Sequence, residues 1–152
     1  MRSGRPSFAP GYGIATDEEG LLPWAWAEKR LVAARNYWIG TAGPSGPHAA
    51  PVWGLWRDDR FLFSTAPDSR KGRNLARDPR VVVHLESGDE VVILEGSVEP
   101  LERDGFEAIA DAYESKYAYR PQSPDGWLAL RPRRAFAWRE RDFPRSATRF
   151  DA

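Results

Sequence analysis

The sequence has no cysteine, only three lysines among its 22 basic residues, two histidines and one methionine. Each scarcity excludes something. Without cysteine there is no disulfide framework, no thiolate zinc site and no cysteine nucleophile. The same absence fits a reducing compartment and sets the expectation of a cytoplasmic protein. His48 and His84, with no carboxylates clustered at ligand spacing, make no metal motif. The 22 basic residues are balanced by 22 acidic ones, so there is no bulk attraction for nucleic acid or a membrane surface. Any anion site must therefore be a local cluster. No apolar run is long enough to span a bilayer. The first ten residues hold Arg2, Arg5 and Pro6 and lack the apolar stretch of a secretory leader. No nucleophile motif stands out, so an enzyme built on this chain would take its chemistry from a cofactor.

What is present points to a packed domain. Hydrophobic residues are 41% and aromatics 12% of 152 residues, enough for one domain with a real core. The expected organisation is a single domain over residues 1–152, with residues 1–20 as a loose, glycine-containing arm. The preference for arginine over lysine has two readings: a compositional bias of the genome, or bidentate recognition of phosphate or carboxylate.

The pattern along the chain is mainly β. Pro23 opens a short helix in which Trp24, Ala27 and Leu31 share one face. Strands are expected at Tyr37–Thr41, His48–Trp56, Arg60–Thr65, Val81–Leu85, Val91–Val98 and Ala135–Glu140. Turns are expected at Gly43–Gly46 and at Asp58-Asp59. Asp68 or Ser69 caps a helix that ends before Pro79. Arg103–Tyr117 is the clearest amphipathic helix, with Phe106, Ile109, Ala110, Tyr113 and Tyr117 on one stripe. Residues 118–130 read as a loop. Gly96 marks a bulge or a close approach inside its strand. Six short strands with few helices suggest a small antiparallel barrel.

The informative stretch is Phe61-Leu-Phe-Ser-Thr-Ala-Pro-Asp-Ser-Arg-Lys-Gly-Arg-Asn74. A strand runs into a capped helix whose first turns carry Arg70, Lys71 and Arg73. Cations at a helix N-terminus oppose its dipole by roughly 0.3–1 kcal/mol each. Gly72 costs about another 1 kcal/mol relative to alanine. An anion bound by the free amides and the cations would account for both; a solvated helix with incidental charge is the plain alternative. Both faces of Ala49–Trp56 are apolar. Val52, Gly54 and Trp56 share one and Pro51, Trp53 and Leu55 the other, so cover is expected from core, a partner subunit or a planar ligand. Pro51 cannot donate to a ladder, which leaves an irregular edge beside that surface. His48 stands next to this strand and is a further candidate contact.

Taken together, Pro47–Trp56, Phe61–Thr65, Ser69-Arg-Lys-x-x-Asn-Leu75 and Asp78–Val83 resemble the pyridoxamine 5′-phosphate oxidase-like family. The order and spacing hold from about Asn36 to Leu101, and Ala135–Phe150 resembles the family's closing strand. The resemblance implies an α+β, mainly β fold: a six-stranded antiparallel split barrel with a few peripheral helices, assembled as a homodimer with cofactor at the interface. It implies that Ser69, Arg70 and Lys71 hold a cofactor phosphate and that Asn74 supports them. Ala50, Pro51, Val52 and Trp53, with Ser64 and Thr65, would line the ring. The partner subunit would contribute residues near Glu90 and Trp138. The chain departs from the true oxidases in carrying Glu90 where they have a glutamine, and in having no histidine after His84. Vitamin B6 oxidation is therefore not implied. The expected function is hydride transfer from the deazaflavin coenzyme F420 to a small unsaturated or quinone-like substrate. Arg131, Arg133, Arg134, Arg139, Arg141, Arg145 and Arg149 are candidates for the coenzyme's acidic tail. FMN is the alternative cofactor, and a non-catalytic flavin carrier the alternative function.

Overall fold

The computed structural model describes residues 1–152. In chain order the elements are β1 (Arg2–Gly4), α1 (Trp24–Ala33), β2 (Tyr37–Gly43), β3 (Gly46–Val52), β4 (Leu55–Arg57), β5 (Arg60–Ser64), α2 (Arg70–Arg77), β6 (Arg80–His84), β7 (Glu90–Pro100), α3 (Phe106–Tyr117), β8 (Trp127–Arg139), α4 (Phe143–Ser146) and β9 (Thr148–Asp151). Every strand pairing is antiparallel.

The pairings trace a ring. β3 pairs β2, β2 pairs β6, β6 pairs β7, β7 pairs β8, β8 pairs β5 and β5 pairs β4. β4 follows β3 after only Trp53 and Gly54, so the circuit is split at those two residues. This is the split barrel expected from the sequence, with β9 and β1 added beyond β8. Its interior holds Tyr37, Ile39, Phe61, Phe63, Val83, Leu94 and Phe150. A second cluster, including Leu55, Leu62, Phe106, Ile109 and Tyr113, lies under α3. No helix is long and apolar enough to cross a membrane, and no group of His, Asp or Glu side chains is placed to hold a metal ion.

Several local expectations hold for stated reasons. Asp58 and Asp59 both adopt positive φ, 53° and 59°, the geometry that lets a two-residue loop match the strand twist between β4 and β5. At Gly96 the register of β7 on β8 shifts, and a Cβ there would stand 2.8 Å from Leu130 and 3.0 Å from the Arg131 carbonyl.

Other expectations are corrected. His48–Trp56 is not one strand: its ladder to β2 stops at Val52. Gly54 turns the chain where a Cβ would be 2.3 Å from the Phe61 ring. Residues 127–130, read as loop, open the 13-residue β8. Pro132 disguised this strand, and the structure accommodates it beside the bulge opposite Gly96. The segment read as a loose arm contains β1, paired to β9, and Arg5 donates to the carbonyls of Asp17, Glu19, Arg145 and Ala147. α3 begins at Phe106 rather than Arg103, after Gly105 at φ 81°.

Candidate functional site

The cap of α2 is Ser69, not Asp68. Its Oγ accepts from the Gly72 amide at 3.1 Å, donates to the Ala66 carbonyl at 2.7 Å and lies 3.1 Å from Thr65 Oγ1. With Ser69 satisfying the third amide of the helix, those of Arg70 and Lys71 are left without an acceptor in the chain. Neither side chain forms a hydrogen bond or ion pair, whereas ten other arginines are paired with carboxylates. Arg70 is exposed and Lys71 half-buried. Arg73 turns back to donate to the Asp68 carbonyl and is used locally. Two free amides and two unpaired cations at one helix start are a donor set suited to a phosphate. Gly72 has a separate cause: a Cβ there would stand 2.2 Å from the Ala66 carbonyl. Packing requires it, and it says nothing about an anion.

Asn74 fixes this helix to the barrel. It is buried at 4% exposure, and its Nδ2 donates to Thr41 Oγ1 at 3.1 Å. Gly43 leaves it room, since a Cβ there would be 2.0 Å from Asn74 Oδ1. Asn74 is thus committed to β2. The same strand carries the ring-lining candidates, because Ala50 and Pro51 pair with Ile39 and Trp38. Anchor and ring surface therefore meet through β2. Within the surface the residues differ. Val52 points into the barrel core and offers only its backbone outward. Pro51 and Trp53 are exposed, Ala50 and Thr65 half-buried, and Ser64 exposed at the end of β5. β3 has no partner on its far edge. Pro47 and Pro51 occupy positions on that edge where no amide is required by the ladder.

Sequence reasoning missed a cluster at the split. The Gly54 amide donates to the Tyr117 hydroxyl at 3.0 Å, and that hydroxyl faces the carbonyls of Arg35 at 2.7 Å and Gly54 at 3.0 Å. Lys116 Nζ donates to the Tyr37 hydroxyl at 2.8 Å and to the Gly54 carbonyl at 3.0 Å. The end of α3 thus replaces the ladder that β3 and β4 lose. Burial, with Arg35 adding repulsion, pushes the Lys116 ammonium down to about 8. Burial raises Tyr37 and Tyr117 and pushes Tyr113 up to about 12. Tyr117 also belongs to the buried core stripe of α3 expected from the sequence. Only the unusual lysine, one of three, could have flagged the rest.

A groove of about 1010 Å³ runs over β2, β3, β6, β7 and β8, with Gly40, Ala42, Pro47 and Ala49 on its floor and Arg80, Arg131, Arg133, Asp78, Glu95 and Glu99 around it. None of the ten predicted site residues lines it. His48 does, and its Nδ1 is buried without a partner. The proposed arginine tail groove is largely dismantled by pairing. Arg134 and Arg149 bind Asp151, Arg139 binds Asp142 and Arg145 binds Asp17. Only Arg131, Arg133 and Arg141 stay free. Glu90 accepts a two-point contact from Arg30 at 3.0 and 2.8 Å, which holds its carboxyl below the usual range. Trp138 packs edge-on to Phe8 and Phe143.

A family model described as pyridoxamine 5′-phosphate oxidase matches residues 27–139. No curated protein sequence matches. Among solved structures, a conserved hypothetical protein, Rv2991, from Mycobacterium tuberculosis is 25% identical with a TM-score of 0.66, over 84% of this chain and 91% of that one. A heme binding protein from Mycobacterium smegmatis is 25% identical with a TM-score of 0.61, over 76% of this chain, which spans only 54% of that protein. An F420 reductase is 21% identical with a TM-score of 0.53, over 68% of this chain and 91% of that one.

Proposed function

Since the chain belongs to the pyridoxamine 5′-phosphate oxidase family, we propose that it is a flavin-type oxidoreductase that grips its cofactor's phosphate at the start of α2. The observation that carries this reading is the pair of unpaired cations, Arg70 and Lys71, beside two free amides. Arg70 and Lys71 neutralise the phosphate. Ser69 and Thr65 fix the loop that presents the amides, and Asn74 keeps the helix on β2. The ring lies against the outer side of β3, where Ala50 and Pro51 are accessible, with Trp53 just past the strand at the ring's margin. When bound, the cofactor supplies hydride or electron transfer; the chain's part is to orient it and shield one face from water. No side-chain acid or base is required.

The preferred cofactor is the deazaflavin coenzyme F420, with a small unsaturated or quinone-like molecule as hydride acceptor. Of the unpaired tail candidates, Arg131 and Arg133 line the groove suited to a second copy, and Arg141 lies outside it and remains free for the acidic tail. FMN is the second reading, favoured by the pairing of four of the seven tail arginines with carboxylates, since FMN ends at its phosphate. The active form is a homodimer. Its support is the groove over β2, β3, β6, β7 and β8, whose small floor residues and mixed rim of three arginines and three acids suit a second copy of the same face.

Protein purified from cells that make it is denatured and the released chromophore identified. A deazaflavin bearing glutamates supports the preferred reading and FMN the second. A stoichiometric chromophore of another class, heme included, contradicts both.

A further inference from the structure

Trp53 and Tyr117 form the one parallel aromatic stack at the barrel split, with ring centroids 4.6 Å apart and planes within 7°. Trp53 keeps 40% of its surface exposed, so the outer face of the stack is open to solvent. Two cations crowd it. The Arg35 guanidinium lies 5.2 Å from the Trp53 centroid and 5.5 Å from that of Tyr117. Lys116 Nζ lies 5.1 Å from the same Tyr117 ring. Neither cation has a carboxylate partner, in a chain that pairs ten of its arginines with acids. Two positive charges on one tyrosine ring repel each other. Cation–π contact offsets this in part. A bound anion would remove it altogether.

We infer that Trp53, Tyr117, Arg35 and Lys116 form a binding subsite for a planar conjugated molecule carrying a carboxylate or equivalent anionic group. The flat part stacks on the open face of Trp53. The anionic part meets Arg35, which can take it with two parallel N–H donors. Lys116 spends two of its three donors on Tyr37 and Gly54 and directs the third charge-assisted contact. Trp53 also ends the segment that would line the cofactor ring. A ligand seated there borders the ring, so the subsite describes the substrate's chemical class. That role rests on the oxidoreductase reading, whereas binding of the anion itself does not.

The groups facing Lys116 are Arg35, from the link between α1 and β2, Tyr37 of β2, and Tyr117 with its neighbour Tyr113 on α3. No acid is among them. Below about pH 8 the ammonium is present; above it the charge is lost while Arg35 stays charged. Affinity for an anion at this place should therefore decline through that pH without vanishing.

The test compares 2-naphthoate with 2-naphthamide, equal in shape and different in charge, by calorimetry and by the shift of the Trp53 indole N–H signal, assigned with Trp53→Phe. The acid should bind at least about tenfold more tightly than the amide. Arg35→Gln should cut that preference several-fold at neutral pH, where Lys116 alone still carries charge, and exposed Arg35 can be changed without opening the core. Equal binding of acid and amide, or an unaltered preference in Arg35→Gln, would overturn the inference. FMN titrations separate it from the cofactor reading. Arg70→Ala should weaken FMN and spare naphthoate; Arg35→Gln should do the reverse. If Arg35→Gln weakens both alike, Arg35 belongs to the cofactor anchor and the separate subsite is refuted. If neither FMN nor coenzyme F420 binds the unmodified protein while naphthoate preference persists, the cofactor reading fails alone.

Discussion

A cation in the first turn of a helix faces the positive end of its dipole, and Arg70 and Lys71 stand there with nothing to answer them. This pair was visible in the sequence, and its lack of partners became visible only in the structure. Gly72 shows how a sound sequence argument can rest on the wrong cause. Its helix-interior penalty suggested a ligand, but contact with the Ala66 carbonyl accounts for it. Asn74 was legible as a supporting residue, and its burial against Thr41 defines what it supports. Two residue-scale outcomes follow. Gly43→Ala would force a Cβ against Asn74 Oδ1 and should destabilise the fold by about 1–3 kcal/mol, read as a lowered urea midpoint. Asn74→Ala leaves Thr41 without that bond and opens a small void, and should cost about 1–3 kcal/mol together with a loss of FMN affinity.

At the scale of elements, strands bounded by glycine and by two-residue turns were readable because turn chemistry is local. β8 and the β3–β4 break were not. Pro132 argues against a strand unless the bulge opposite Gly96 is known, and the break depends on α3, more than 60 residues away. The hydroxyl of Tyr117 stands in for the missing ladder. Tyr117→Phe strands the buried Gly54 amide and should cost about 1–3 kcal/mol; at this chain length that corresponds to roughly 2–4 °C in Tm per kcal/mol. Lys116 gives a pH signature. Its folded pKa, about 8, lies below the ordinary 10.5, so between these values the unfolded chain binds more protons and stability rises with pH. The raised tyrosines act in the opposite sense, but only above about pH 10, where an unfolded tyrosine begins to ionise. Urea midpoints should therefore climb between pH 8 and pH 10. The climb should be flattened in Lys116→Met; an equal climb in that variant would remove Lys116 as its source.

For the molecule as a whole, the barrel and its family were recoverable because motif order and spacing span Asn36 to Leu101. The homodimer was implied only through the family resemblance, and the structure adds a groove whose rim carries Arg131 and Arg133 with Glu95 and Glu99, beside the paired Arg80 and Asp78, a pattern that suits a second copy. Light scattering should give twice the monomer mass. Arg131→Glu with Arg133→Glu, which makes the rim acidic, should return the monomer; a monomer in the unmodified protein would reject the dimer. The central claim is the anion grip at α2, and the titration of FMN and of coenzyme F420 into the unmodified protein and into Arg70→Ala/Lys71→Ala tests it most directly. At least one of the two should bind the unmodified protein and lose roughly 1.5–3 kcal/mol per deleted contact, the fold being unchanged by circular dichroism. Equal affinity in both proteins would contradict the account.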